Sequence, residues 1–218
     1  MRLYWDIETS PKAGSPADYI EKVKAPASYK KQESIDKWIE QNAESASEEM
    51  HRKTSINPED GSILCIAYAI DDKPVEVLTV KEAFNDLAEA EVLVDFFNMI
   101  DTLNEPVFIG HNLKGFDLPF VMKRSMILGY PPPRPLHEAW SRRYSDIVYD
   151  TMEKWSGWGK FIGQTRLGEV LKIDHTDLMT GAEVYDKIYD GKIDDVAEYC
   201  KGDVEFVRKI YRKMNWLA

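Results

Sequence analysis

The stretch that decides the reading is Met1–Thr9, M-R-L-Y-W-D-I-E-T. Leu3, Trp5 and Ile7 alternate with Tyr4, Asp6 and Glu8, the two-residue period of a β-strand. Asp6 and Glu8 then share one face, about 6.5–7 Å apart along the strand. Bulky apolar neighbours put the strand in the middle of a sheet, where unpaired carboxylates are costly. A hard divalent cation bound through oxygen removes that cost, and acids at i and i+2 are spaced to hold one. A strand that stops at Trp5 would instead leave Asp6 and Glu8 as loop acids. This stretch by itself leaves both readings open.

The 218 residues fit one large domain with room for a buried core. An apolar fraction of 44% and an aromatic fraction of 11% exclude a disordered chain. No apolar run reaches the roughly 18–20 residues that span a bilayer. No charged-then-apolar leader precedes the first strand, so a cytoplasmic protein without a membrane partner is expected. Cys65 and Cys200 are far apart in sequence and in apolar contexts, which reads as two buried thiols in a reducing compartment. The net charge of −10 excludes a protein that coats nucleic acid through a broad basic surface. It leaves room for a nucleic-acid enzyme, because bound cations invert the field of an acidic site.

From Pro11 to Gly61 the sequence changes character, with Pro11, Pro16, Pro26 and Pro58, many Lys and Glu, and few aliphatics. A helix over Ser34–Arg52, capped by Ser34, is expected there, with loop around it. The segment reads as an insertion after the first strand: either a passive excursion or an arm that guides substrate, since it leaves beside Glu8. Ser62–Ile70 and Val75–Val80 form a hairpin about Asp71-Asp72-Lys73. A helix over Glu89–Leu103 and a buried strand at Val107–Ile109 follow. Asp117 is placed to cap a helix whose first turn holds Pro119 and which stops at Gly129. Beyond Pro131-Pro132-Pro133 lies an aromatic, basic segment with His137, Trp140, Arg142, Arg143 and Tyr144. A strand at Ile147–Thr151 runs into a short helix ending at Ser156-Gly157-Trp158-Gly159, and helices are expected at Arg166–Leu171 and Gly181–Tyr189. The last helix, Ile193–Met214, carries an apolar stripe of Val196, Cys200, Val204, Val207, Tyr211 and Met214. Tyr199 and Asp203 lie beside that stripe, one turn apart.

Three stretches now stand in order: W-D-I-E-T, H-N-L-K-G-F-D and Y-C-K-G-D. With them the chain resembles the DEDD superfamily of 3′–5′ exonucleases, which carries D-x-E, then N-x-x-x-F/Y-D, then Y-x-x-x-D or H-x-x-x-x-D. Tyr199 stands four residues before Asp203 and Glu198 five before, as in the tyrosine subgroup that includes the proofreading domains of family B DNA polymerases. The resemblance implies a ribonuclease-H-like α/β fold, a mixed central sheet flanked by helices. It makes residues 1–218 a single exonuclease domain with 11–61 inserted. It also implies a free-standing enzyme of the kind found in phages and prophages.

The resemblance implies two divalent cations, Mg2+ or Mn2+, held by Asp6, Glu8, Asp117 and Asp203. Asp6 would bridge them, Glu8 and Asp203 would hold the one that binds the attacking water, and Asp117 would support the second. Tyr199 would orient that water; with an ordinary pKa near ~10 it is a poor base at neutral pH. Ile7, Thr9, His111, Asn112 and Phe116 are the expected substrate contacts, with Asn112 hydrogen-bonding and Phe116 stacking on terminal nucleotides. The expected substrate is the 3′ end of single-stranded DNA, with replication or recombination proteins as further partners. An exoribonuclease, a phosphodiesterase of short oligonucleotides and a non-catalytic nucleic-acid-binding module are the alternatives. The last of these predicts the loss of an acidic residue, and all four are present. Arg142, Arg143, Lys154 and Lys160 are open to two readings, a solvated face or phosphate contacts.

Overall fold

A computed structural model describes residues 1–11, 13–142, 146–174 and 179–217; Arg143 and Tyr144 lie outside them. The strands are β1 (Arg2–Ser10), β2 (Ser62–Ile70), β3 (Glu76–Thr79), β4 (Val107–Gly110) and β5 (Val148–Asp150). The α-helices are α1 (Gln32–Arg52), α2 (Asp86–Asp101), α3 (Asp117–Leu128), α4 (Arg134–Ser141), α5 (Thr151–Ser156), α6 (Gln164–Leu171), α7 (Gly181–Tyr189) and α8 (Ile193–Met214). The sheet order is β3-β2-β1-β4-β5, so β1 is central as its apolar residues require. Antiparallel pairing runs through β1–β2–β3, and β4 and β5 add to β1 in parallel.

Both faces of β1 are covered. Trp5 packs on Phe96 of α2 with ring centroids 5.2 Å apart, and Tyr4 meets Tyr211 of α8 edge-on at 5.6 Å. Each large side chain buried this way contributes about 1.5–3 kcal/mol. The two-residue period therefore turns Tyr4, Asp6 and Glu8 together toward α8. The β1–β2 register shifts between Glu8 and Thr9, a local irregularity of the kind that re-aims side chains beside functional sites.

The final helix carries two apolar faces. Val196, Cys200, Val204 and Val207 enter the main core, whereas Phe206 and Ile210 pack with Leu167 of α6 in a second cluster. Gly168 is required there, because a Cβ would lie 2.0 Å from the Phe206 ring. On the opposite side of the sheet, Glu89 of α2 and Arg124 of α3 form a buried bidentate pair at 2.8 and 2.6 Å. Glu89 also accepts the Ile63 amide, and Arg124 reaches the Pro58 carbonyl.

Several boundaries differ from the sequence reading. Helix α1 starts at Gln32, with Lys31 rather than Ser34 at the cap, because the Lys31 carbonyl accepts the first helical amides. Helix α2 starts at Asp86, since the Asn85 side chain accepts the Leu87 and Ala88 amides. Asp117 is not the cap of α3: Phe116 holds that position and Asp117 is the first helical residue. The aromatic, basic segment after the prolines contains a helix not anticipated, α4, which buries Leu136 and Ala139. Nor is the surround of α1 plain loop, since 3-10 turns form at Pro16–Lys22 and Lys53–Ile56.

Residues 11–61 dock through polar and aromatic contacts instead of an apolar face. His51 is 1% exposed, and its Nδ1 lies 2.8 Å from the Tyr185 hydroxyl of α7. The Arg52 guanidinium stacks 3.9 Å above the Tyr185 ring and pairs with Asp186 at 2.6 Å. No helix among the described residues is long and apolar enough to cross a membrane.

Candidate active site

Asp6 and Glu8 leave β1 toward α8, where the helix presents Tyr199, Cys200 and Asp203. Oxygen atoms of Asp6 and Glu8 and the Cys200 sulfur all lie within 4.8 Å of one another. The Cys200 thiol points at the Asp6 carbonyl (3.5 Å) and at Asp6 Oδ2 (3.6 Å). Asp117 comes from the third side. It is 3% exposed, and its Oδ1 accepts the amide of Ile7, 3.1 Å away, which ties the start of α3 to the middle of β1.

Four carboxylates so arranged repel one another. Burial, then Asp117, Asp203 and Glu8, push Asp6 well above the usual carboxylate range. Glu8 is raised by burial and by Cys65, Asp203 and Asp117. Burial pushes Asp117 up to about 8, with Asp150 and Asp203 adding to it and hydrogen bonds from its own and the Ile7 amide opposing it. Every strong influence on Asp6 and Glu8 acts in the same direction, and none is a cation. A cluster of oxygen donors with no internal counter-charge fits a hard divalent cation. Tyr199 is raised far above its ordinary value by burial and by Asp203, Glu8 and Asp6, and its hydroxyl donates to Asp203.

The turn between β4 and α3 brings up the remaining residues. Asn112 is left-handed (φ 58°), and its Oδ1 lies 2.3 Å from where a Cβ on Gly115 would fall, so any larger residue there would push the Asn112 carboxamide aside. Phe116 is half-buried and packs on Phe120 with centroids 5.5 Å apart. It lines a cavity of about 410 Å3 with Glu8, Thr9, Tyr185 and, from the insertion, Lys53 and Ile56. Ile7 is in the core, so its backbone, not its side chain, faces the acids. His111 is held internally: Nε2 lies 2.9 Å from the Ile162 carbonyl and Nδ1 lies 2.9 Å from the Thr151 hydroxyl. Because a carbonyl only accepts, Nε2 carries the proton; burial lowers the His111 pKa and keeps the ring neutral.

Sequence reasoning missed three supporting groups. Buried Asp150 at the end of β5 accepts the amides of Asn112 and Lys114, both at 3.0 Å, and so shapes the turn before Asp117. Gln164, first in α6, donates to the Asp203 carbonyl (3.1 Å) and to Oδ1 (3.4 Å). Cys65 and Cys200, read as unrelated thiols, are neighbours beneath the acids, and burial with Cys65 alongside raises the Cys200 thiol. The one signal for this was register: Cys65 stands opposite Glu8 on β2, and Cys200 follows Tyr199.

Comparison with known proteins adds to this geometry. Residues 61–217 match the family described as a predicted 3′–5′ exonuclease related to the exonuclease domain of PolB. That span contains Asn112, Phe116, Asp117, Tyr199 and Asp203; Asp6, Glu8 and most of the insertion lie outside it. No curated protein matches the sequence. The structure is similar to the family B DNA polymerase from the hyperthermophilic archaeon Pyrobaculum calidifontis, with a TM-score of 0.61 and 17% identity. The likeness covers 98% of this chain and 24% of the polymerase, so the chain spans about a quarter of that protein. It places the mixed sheet and its helices in the ribonuclease-H-like fold of polymerase exonuclease domains.

Proposed function

Because the chain belongs to the family of predicted 3′–5′ exonucleases related to the exonuclease domain of PolB, we propose that it hydrolyses the terminal phosphodiester bond at the 3′ end of single-stranded DNA with the help of divalent cations. The observation that carries this reading is the convergence of Asp6, Glu8, Asp117 and Asp203 from three separate elements, β1, α3 and α8, where burial and mutual repulsion raise the carboxyl pKa values of Asp6, Glu8 and Asp117. Two Mg2+ or Mn2+ ions held by these four residues would supply an activated water and charge stabilisation at the leaving oxygen.

The chain's own groups account for the rest. Tyr199 stays protonated at physiological pH, so it does not take a proton from a nucleophilic water; with its one O–H donated to Asp203, its oxygen is left to accept a hydrogen bond from that water and orient it. Its hydroxyl is held by Asp203, and Asp203 is steadied in turn by Gln164. Phe116 offers a ring beside Glu8 for the terminal base, and Asn112 a carboxamide at the turn before Asp117. Thr9 lines the same cavity as Phe116. His111 serves the site by pinning the 162 carbonyl to the end of β4.

End-labelled single-stranded DNA and RNA, each incubated with Mg2+, Mn2+ and chelator, test this reading. Stepwise shortening of DNA from its 3′ end, dependent on metal and abolished by Asp6→Ala, is expected. Shortening from the 5′ end, undiminished activity in chelator, or full activity of Asp6→Ala would overturn it. Faster loss of RNA than DNA would make the enzyme an exoribonuclease on the same site.

A further inference from the structure

A second cavity, of about 550 Å3, opens on the other side of the turn that carries Asn112, and its walls are aromatic and basic. Asn112, Lys114 and Gly115 line it, together with Trp140 and Arg142 at the end of α4. Trp158, Lys160 and Phe161, between α5 and α6, line it as well. These aromatic side chains are not core. Trp158 is 72% and Phe161 79% exposed, an expensive way to display large rings unless something covers them.

The segment that displays them is tied to the candidate site at its far end. There His111 binds the Ile162 carbonyl, and two residues on, Gln164 binds Asp203. At the other end, Gly157 ends α5 with a left-handed φ of 80°. Charge points the same way. The Lys114 ammonium is matched by Glu153 at 2.7 Å, and the Asp150 carboxylate is turned inward onto backbone amides. Arg142, which also faces Glu138, and Lys160 are exposed cations on a chain of net charge −10. Exposed rings interleaved with cations along a cleft suit unpaired bases joined by phosphates.

We propose that Trp158 and Phe161, with Trp140 opposite, form a stacking platform for bases upstream of the 3′ terminus, and that Arg142 and Lys160 accompany their phosphates. The inference rests on the exonuclease reading and adds a length preference to it. A strand long enough to cross the turn at Asn112–Gly115 gains the platform, and a dinucleotide does not. The preference is for single strands of any sequence, because every base has a stacking face.

The test compares octathymidylate with dithymidylate as substrates of the full chain. Trp158→Ala/Phe161→Ala is expected to raise KM for octathymidylate by about 10- to 100-fold, with kcat at saturation and KM for dithymidylate held within about twofold. Trp158→Phe/Phe161→Tyr, which keeps both rings, should restore the octathymidylate KM. A second readout needs no hydrolysis: in chelator, octathymidylate should quench a component of tryptophan fluorescence that Trp158→Ala lacks. If wild type binds and quenches without cleaving either substrate, the platform stands and the exonuclease reading fails. If wild type cleaves both and the double variant keeps its octathymidylate KM, the platform fails and the exonuclease reading stands, the rings then belonging to a protein contact. Equal losses on both substrates would also overturn the platform, since they would place the rings at the terminal nucleotide.

Discussion

Asp117→Asn isolates the electrostatic strain of the acidic cluster. The substitution keeps the shape of the side chain and an oxygen to accept the Ile7 amide, and removes only the charge. In the unfolded chain Asp117 titrates near its ordinary value of 3.8, and in the fold near 8. Between those values the folded protein holds a proton that the unfolded chain has released, so stability falls as pH rises from about 4 toward 8. At pH 7 the gap of about three units corresponds to about 4 kcal/mol, at 1.36 kcal/mol per unit. Asp6 and Glu8 are only partly buried, and water reaching them raises the local dielectric, which brings the working figure to about 2 kcal/mol. For a domain of this size that is about 4–8 °C in Tm. In chelator near neutral pH, the variant should melt above wild type by that margin, and the difference should close near the unfolded-state pKa. Saturating Mn2+ should reverse the order, because wild type offers the cation one more anionic group. Calorimetry in chelator and in Mn2+, across pH, measures all three effects. Wild type and variant melting together at every pH in chelator would refute the reasoning.

Tyr199→Phe should lower kcat by about 10²- to 10³-fold while Mn2+ affinity, read by titration calorimetry, stays at the wild-type value. Glu89→Gln should cost about 3–5 kcal/mol, seen as a lower urea midpoint, because it strips Arg124 of its buried partner. The double variant Glu89→Gln/Arg124→Met should recover part of that loss. His51→Ala should cost about 1–3 kcal/mol and speed amide exchange in α1 and α7, leaving α8 protected, since His51 joins the insertion to Tyr185.

The fold was legible where a single element carries its own pattern. Strand β1 declared itself central because apolar residues occupy it on both faces, and α8 declared one of its faces through spacing alone. Its second face was not legible. Phe206 and Ile210 matter only because α6 lies against them, and a short helix with Gly168 at its contact gives no periodic signal of that. How residues 13–61 attach was not legible for a related reason. Their contacts are made by His51, Arg52 and Thr54, polar residues that read as solvated until Tyr185, Asp186 and the β1 end are brought beside them.

The same distinction runs through the candidate site. Asp6, Glu8, Asp117 and Asp203 could be proposed from the sequence because a motif needs only order and spacing, and those survive in one dimension. The groups that hold them do not. Asp150 acts on amides 36 and 38 residues away, and Gln164 on a residue 39 away. Each is a single polar side chain whose partner is backbone or one atom of another side chain, so no pattern in the sequence distinguishes it from a surface residue. Burial makes the distinction, because a polar side chain at 2% exposure must find donors inside the fold. Asp150 finds them in the turn that sets Asn112, and β5 thereby shapes the approach to Asp117. The acids proposed as cation ligands can be picked out in the chain; the acid that shapes the turn before Asp117 can be read only from the fold.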